Sequence, residues 1–369
     1  MASLTPTEES PTPPPATSTP PNTCLASALG WIGLPFTGGA LLVGLMLPAS
    51  FPTLVSLFGG VLVAVGLATA PWRWQPGSRL RGLSRAALAL IVVAQFIRML
   101  PISGVSGQVW PYEGNLRGVL HRLVDEQDIA MLGTRVLVAA GQLSSAESKG
   151  LAPAMAERYQ AMFRTDGVVP TPLLSTAFGL QHPEAFDTLV IEPMAEEAPS
   201  RAVVFLHGYA GNFTLPCWQI AQAARLAGAV TVCPSVGLKG DWWTPQGQAT
   251  VEATLDRLKA RGITSVVLAG LSNGGIGASL LAPRLAARLD GVVLISGVSA
   301  RAKPTRLPTL VIHGAGDTMT LFAVARRYAR RGGRRNTLVR LKGRHFALMT
   351  EHEAATQALT SWLQALPQD

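Results

Sequence analysis

The chain has 369 residues, enough for more than one structural unit, and 31 Lys and Arg against 22 Asp and Glu give a formal net charge of +9. A basic balance suits nucleic acid or an anionic membrane surface. Its arginines are scattered over helical stretches with no basic-aromatic motif, which argues against nucleic acid. Three cysteines, Cys24, Cys217 and Cys233, form no CxxC and have no metal-ligand spacing, so no metal site is expected.

The charge is unevenly placed. Met1 to Trp72 contains no Lys, Arg or Asp, and its only charges are Glu8 and Glu9. Residues 1–23 hold seven prolines among Ser and Thr, which forbids a helix and leaves nothing to build a core, so a disordered tail is expected. Without a positively charged n-region it does not begin as a secretory signal.

Residues 24–47 and 51–70 are two nearly uncharged apolar runs, each about the length that crosses a bilayer, with Pro48 in the turn between them. The alternative, a pair of core helices, lacks enough amphipathic sequence nearby to cover both. A loop carrying Arg73, Arg79, Arg81 and Arg85 follows. A third apolar run, 86–100, carries Arg98 near its end. It either lies in the interface or crosses, the span then being 83–102 with Arg85 and Arg98 snorkelling to the two faces. Two or three transmembrane helices are therefore expected within a membrane region, 24–103. Positive loops stay inside, so a crossing third run puts the rest of the chain outside. Crossing is preferred, which places the remainder on the periplasmic side of a bacterial inner membrane.

Residues 104–169 read as a helical connector, with mixed apolar and charged positions at helical spacing over 118–141 and 146–164. His121 and His182 have no partner in sequence and read as ordinary surface or capping histidines.

From about 170 the texture changes. Apolar, β-branched runs at 173–180, 187–192, 201–206, 228–233, 265–269, 291–296, 309–313 and 337–341 read as strands. Helical stretches lie between them at 220–226, 248–261, 276–289, 321–331 and 351–366. Uniformly apolar strands alternating with helices predict an α/β fold with a mostly parallel, doubly wound sheet over 170–366.

The strand at 265–269 runs into Gly270-Leu271-Ser272-Asn273-Gly274 and then a helix. This is the context of a nucleophile elbow, in which small residues allow a turn that lifts the Ser272 hydroxyl above the sheet. A serine needs a base, and the base needs a carboxylate to fix its tautomer. His345 follows the last strand in Gly343-Arg344-His345-Phe346, and Asp317 follows another in Gly314-Ala315-Gly316-Asp317. All three lie beyond carboxyl ends of strands, where open α/β sheets place their sites. Asp241 is the runner-up acid. His313 is too near Asp317 to replace His345 easily. The oxyanion of a tetrahedral intermediate needs amide donors. Asn273 supplies one, and Tyr209, in the loop His207-Gly208-Tyr209-Ala210-Gly211, supplies the other, with His207 supporting that loop. Trp242 and Trp243 either wall a substrate pocket or pack over the sheet edge. Trp218 reads as core. Cys217 and Cys233 come near one another in such a fold. They read as two buried thiols, the alternative being a disulfide formed outside the cytoplasm.

On these four loops, in this order, residues 201–346 resemble the α/β-hydrolase superfamily, nearest to bacterial carboxylesterases and dienelactone-hydrolase-like enzymes. The resemblance implies an acyl-enzyme mechanism without a cofactor, acting on a small-molecule ester or acyl substrate. The expectation is thus a membrane-anchored serine esterase, with the lipid bilayer as partner. Acyl transfer or peptide hydrolysis by the same triad, and a tethered but inactive interaction module, are the alternatives.

Overall fold

A computed structural model describes residues 22–46, 51–69, 82, 85–93, 107–110, 117–193 and 198–367. The chain divides into two compact units, Met1–Phe96 and Ile97–Asp369.

In the first unit, helix α1 (Asn22–Met46) and helix α2 (Phe51–Ala68) pack together. Gly30 sits so near the backbone of Ala68 that a Cβ there would lie 2.0 Å from its nitrogen, and the Ser27 hydroxyl donates to the Ala68 carbonyl at 2.8 Å. Among the described residues one helix, rather than the expected two or three, is long and apolar enough to cross a membrane, its apolar stretch being Leu25–Leu42. The apolar stretch of α2 is described over Thr53–Ala68. Of the third run, only 85–93 is described, as helix. The rest of it, and nearly all of the expected tail, fall outside the described residues. Leu25, Leu29, Trp31, Ile32 and Phe36 of α1 are all exposed.

The second unit is built on one eight-stranded sheet. Its strands are β1 (Gly107–Trp110), β2 (Thr188–Ile191), β3 (Arg201–Leu206), β4 (Ala229–Pro234), β5 (Ser265–Leu271), β6 (Gly291–Ile295), β7 (Thr309–Gly314) and β8 (Asn336–Leu341). The order is β1-β2-β4-β3-β5-β6-β7-β8. β1 and β2 are antiparallel to their neighbours, and the remaining pairs are parallel. Parallel strands need covered crossovers, so every residue of β3, β4, β6 and β7 is buried. Side chains alternate between faces. Val203 and Phe205 join one core with Trp218, Val267, Val293 and Ile312, while Ala202, Val204 and Leu206 join the other with Leu258, Leu268, Leu294 and Val311. Each fully buried aliphatic side chain contributes about 1.5–3 kcal/mol, so these two layers fix the sheet whose carboxyl edge carries the site.

Three sequence readings differ from the structure. Residues 173–180 are not a strand. Leu173–Ala177 is a short helix, because the Ser175 and Thr176 hydroxyls both donate to the Pro172 carbonyl, at 2.9 and 2.8 Å, and the place beside β4 is already filled by β2. In turn, β1 comes from a segment read as connector. Residues 117–166 contribute three helices to the same unit, Arg117–Leu123, Glu126–Ala139 and Ser145–Asp166. Leu151, Tyr159 and Met162 enter the first core. Glu126 is buried, and its carboxylate accepts the amides of Thr214 and Leu215 at 2.7 and 3.0 Å and the Tyr159 hydroxyl at 2.9 Å. It thereby caps the helix Thr214–Arg225. Cys217 in that helix and Cys233 in β4 form a disulfide with Cα atoms 6.3 Å apart, which corrects the reading of two free thiols.

Candidate active site

Ser272 lies between β5 and the helix Asn273–Leu285. Its backbone sits at φ 54°, ψ −117°, a region an L-residue occupies only when the surroundings enforce it. They do so by close approach. A Cβ on Gly274 would lie 1.9 Å from the Leu206 carbonyl oxygen, and one on Gly270 would lie 2.2 Å from that of Gly274. The elbow therefore tolerates only glycine at these two positions.

The Ser272 Oγ is 3.0 Å from His345 Nε2, and His345 Nδ1 is 3.0 Å from Asp317 Oδ2. A carboxylate only accepts, so Nδ1 carries the proton and Nε2 is left to accept from the serine hydroxyl. His345 is in the turn beyond β8 and is largely buried. Asp317 follows β7. Its Oδ1 accepts the amides of Met319 and Thr320, both at 2.9 Å, and its Oδ2 also accepts the Thr320 hydroxyl at 2.7 Å. Burial favours the protonated carboxyl. Hydrogen bonds from His313 and His345, the charge of His345 and the Thr320 amide outweigh it, and hold Asp317 well below the usual carboxylate range.

Two of these partners were not legible as such. His313, near the end of β7, lies 3.2 Å from Asp317 Oδ2 and donates from Nε2 to the Thr320 carbonyl at 2.7 Å. Thr320 Oγ1 also contacts the Ser296 carbonyl oxygen at 2.6 Å and His345 Nδ1 at 3.3 Å. The spacing of four between His313 and Asp317 was the available signal. No hydrogen bond among the described residues joins Asp241 to His345; its backbone carbonyl accepts the amide and hydroxyl of Thr244.

The loop after β3 passes directly beneath the serine. A Cβ on Gly208 would lie 3.2 Å from the Ser272 Cβ and 3.9 Å from its Oγ. His207 shapes this loop. It is buried, its Nδ1 is 2.8 Å from the Gly208 carbonyl oxygen, and its Nε2 accepts the Val236 amide at 3.2 Å. Burial pushes its pKa down to about 4, so the ring is neutral and Nδ1 is the donor. Tyr209 follows with its side chain exposed, and Asn273 opens the helix after the serine with its side-chain amide donating to the Lys239 carbonyl at 2.8 Å. The main-chain amide of Asn273 belongs to the first turn, where helix donors have no partner within the helix.

Trp242, considered as a pocket wall, is fully buried. Its Nε1 donates to the His207 carbonyl at 2.9 Å and its ring packs against that of His207. It holds the loop from below and presents no surface to a ligand. Trp243 beside it is partly exposed. His121, expected at the surface, is buried 3.1 Å from Asp187 Oδ2. Trp218 is buried, as expected for core. Among the described residues no group of three or more His, Cys, Asp and Glu side chains is arranged to hold a metal ion.

No family model and no curated protein sequence matches this chain. Similar solved structures include Est1E from Butyrivibrio proteoclasticus, at 15% identity and a TM-score of 0.42 over 48% of this chain and 93% of that one. An α/β serine hydrolase without a lid from Xanthomonas campestris is 21% identical, with a TM-score of 0.41 over 50% of this chain and 91% of its own. A fluorophosphonate-binding serine hydrolase of Staphylococcus aureus is 13% identical, with a TM-score of 0.41 over 48% and 92%.

Proposed function

We propose that the chain is a serine hydrolase acting on carboxylic esters, held at a membrane by its N-terminal region. The observation that carries the reading is the relay from Ser272 Oγ through His345 to Asp317, with both links at 3.0 Å. In this reading Ser272 attacks the ester carbonyl carbon while His345 Nε2 takes its proton. The tetrahedral oxyanion is met by the main-chain amides of Asn273 and Tyr209. His345 then returns the proton to the leaving alcohol, and the acyl-enzyme is hydrolysed by a water that His345 activates in the same way. Asp317 stays ionised throughout, fixing the His345 tautomer and stabilising its cationic form. The fold of 170–366 around this relay is the catalytic part of the proposal, and 24–103 the membrane part.

The membrane reading is supported by α1. Its 25 residues reach about 37 Å, longer than the hydrocarbon core, and its exposed Leu25, Trp31 and Phe36 are side chains that a core helix would bury. The disulfide between Cys217 and Cys233 favours an oxidising compartment for the catalytic part, outside the cytoplasm. The test is turnover of short p-nitrophenyl esters by the full chain and by Ser272→Ala. The reading expects activity in the first and none in the second; equal activity in both sinks it.

A further inference from the structure

Between Asp317 and Glu351 the sequence carries nine basic residues and no acidic one, which equals the net charge of the entire chain. All nine side chains are exposed. Six of them, Arg326, Arg327, Arg330, Arg331, Arg334 and Arg335, lie on the helix Phe322–Gly332 and the turn that follows. The inward face of this helix, Ala325, Tyr328 and Ala329, is packed in the second core layer. The helical period then sends the arginines outward. Arg326, Arg327, Arg330 and Arg331, with Ala323, line a surface cavity of about 330 Å³.

These guanidinium groups differ from others in the chain. Arg225, Arg261, Arg288 and Arg344 each pair with a carboxylate, of Asp166, Glu192, Asp256 and Glu147 respectively. Among the described residues none of the six is in an ion pair with Asp or Glu. Arg326 with Arg330, and Arg327 with Arg331, are like charges four apart, an arrangement that opposes helix formation. The carboxyl end of the helix accommodates Arg330 and Arg331 but not Arg326 and Arg327, which lie farther from it. Guanidinium groups bind phosphate by paired hydrogen bonds, and four of them line this one cavity.

We propose that this arginine face docks on the phosphate headgroups of anionic phospholipid, giving the catalytic unit a second contact with the bilayer. The proposal rests on the membrane reading above, which places the chain beside such a surface. Two further features favour lipid over a polynucleotide. Met319 and Leu321, just before the helix, are exposed apolar side chains, and basic residues beside exposed apolar ones are the pattern of interfacial binding. No large aromatic side chain is exposed among the six arginines to stack a base.

The test is arginine footprinting with phenylglyoxal, read by peptide mass spectrometry, on the full chain in nanodiscs of phosphatidylcholine alone or mixed with phosphatidylglycerol. Modification of Arg326, Arg327, Arg330 and Arg331 should fall about fivefold on the anionic discs. It should recover in about 1 M salt, where the Debye length is about 3 Å. Arg164, exposed on the helix Ser145–Asp166, should be unchanged. Equal modification on both discs overturns the proposal, as does protection by short double-stranded RNA without protection by the anionic discs. Ser272→Ala should give the same footprint, so failure of the ester chemistry is separable. If the chain does not enter neutral discs, the anchor fails. Flotation of the full chain with phosphatidylglycerol vesicles then decides the arginine face: binding lost on combining Arg326→Gln, Arg327→Gln, Arg330→Gln and Arg331→Gln supports it, and binding unchanged by those substitutions, or none at all, overturns it.

Discussion

Among the described residues two groups of Ser, His and Asp are wired differently. At the carboxyl edge of the sheet, His345 stands between Ser272 and Asp317, with one nitrogen for each. In the second group, sealed from solvent just before β2, Asp187 stands in the middle. Its Oδ2 is 2.5 Å from the Ser175 Oγ, 2.9 Å from Gln181 Nε2 and 3.1 Å from His121 Nε2. Burial raises the Asp187 pKa, and the hydrogen bonds of His121, Ser175 and Gln181 more than reverse this. A carboxylate placed between serine and histidine ties both down and gives the serine no base. It locks the turn before β2 instead, where the Gln181 side-chain oxygen accepts the Asp187 amide at 2.8 Å. The same three residue types thus make either a proton relay or a structural clamp. The order of contacts decides which, together with access: Ser272 is only half-buried, whereas Ser175 is fully enclosed.

The comparison makes opposite demands on the two aspartates. Asp317→Asn should lower ester turnover by about four orders of magnitude, because an amide partner no longer selects the productive tautomer of His345. Asp241→Asn should change turnover far less. If Asp241→Asn were the more damaging, the acid assignment would be wrong. Asp187→Asn should show the reverse profile. It replaces the carboxylate that faces three buried donors with a neutral amide, a weaker acceptor whose buried NH2 gains no partner, and should cost about 1–3 kcal/mol in chemical denaturation, while kcat per active site, counted by titration, stays within a few-fold. A loss of kcat at full active-site titre would mean that the clamp takes part in chemistry.

A smaller effect separates the two regions by pH. His207 under the elbow stays neutral in the folded protein down to about 4, whereas the unfolded chain takes up a proton from 6.5. Between those values the unfolded state binds more protons, so stability present above pH 6.5 is lost as pH falls towards 4, by about 3 kcal/mol. His207→Gln should flatten that acid limb in urea titrations, and an unchanged slope would remove His207 as its source.

How much of this was visible in the sequence follows from what is local. The elbow, the acid loop and the base loop are short segments following apolar strands, and strands buried on both faces announce themselves by composition. Leu173–Ala177 misled because a brief apolar run has no period of its own, and only the hydroxyl bonds to Pro172 decide for helix. β1 was missed because four residues beginning Gly107-Gln108 carry little strand signal before Ile191 and its neighbours pair with them. The contacts of Trp242 with His207, of Cys217 with Cys233 and of His121 with Asp187 span 35, 16 and 66 positions. Such contacts exist only once the sheet has ordered its loops.

Everything proposed for the catalytic unit depends on Ser272 being a nucleophile activated by His345. The most direct measurement is labelling of the full chain with a fluorophosphonate, with the adduct located by peptide mass spectrometry. A single phosphonylated residue, Ser272, is expected, with labelling abolished in His345→Ala. An adduct on another serine, or no adduct in a protein whose fold is intact, would contradict it.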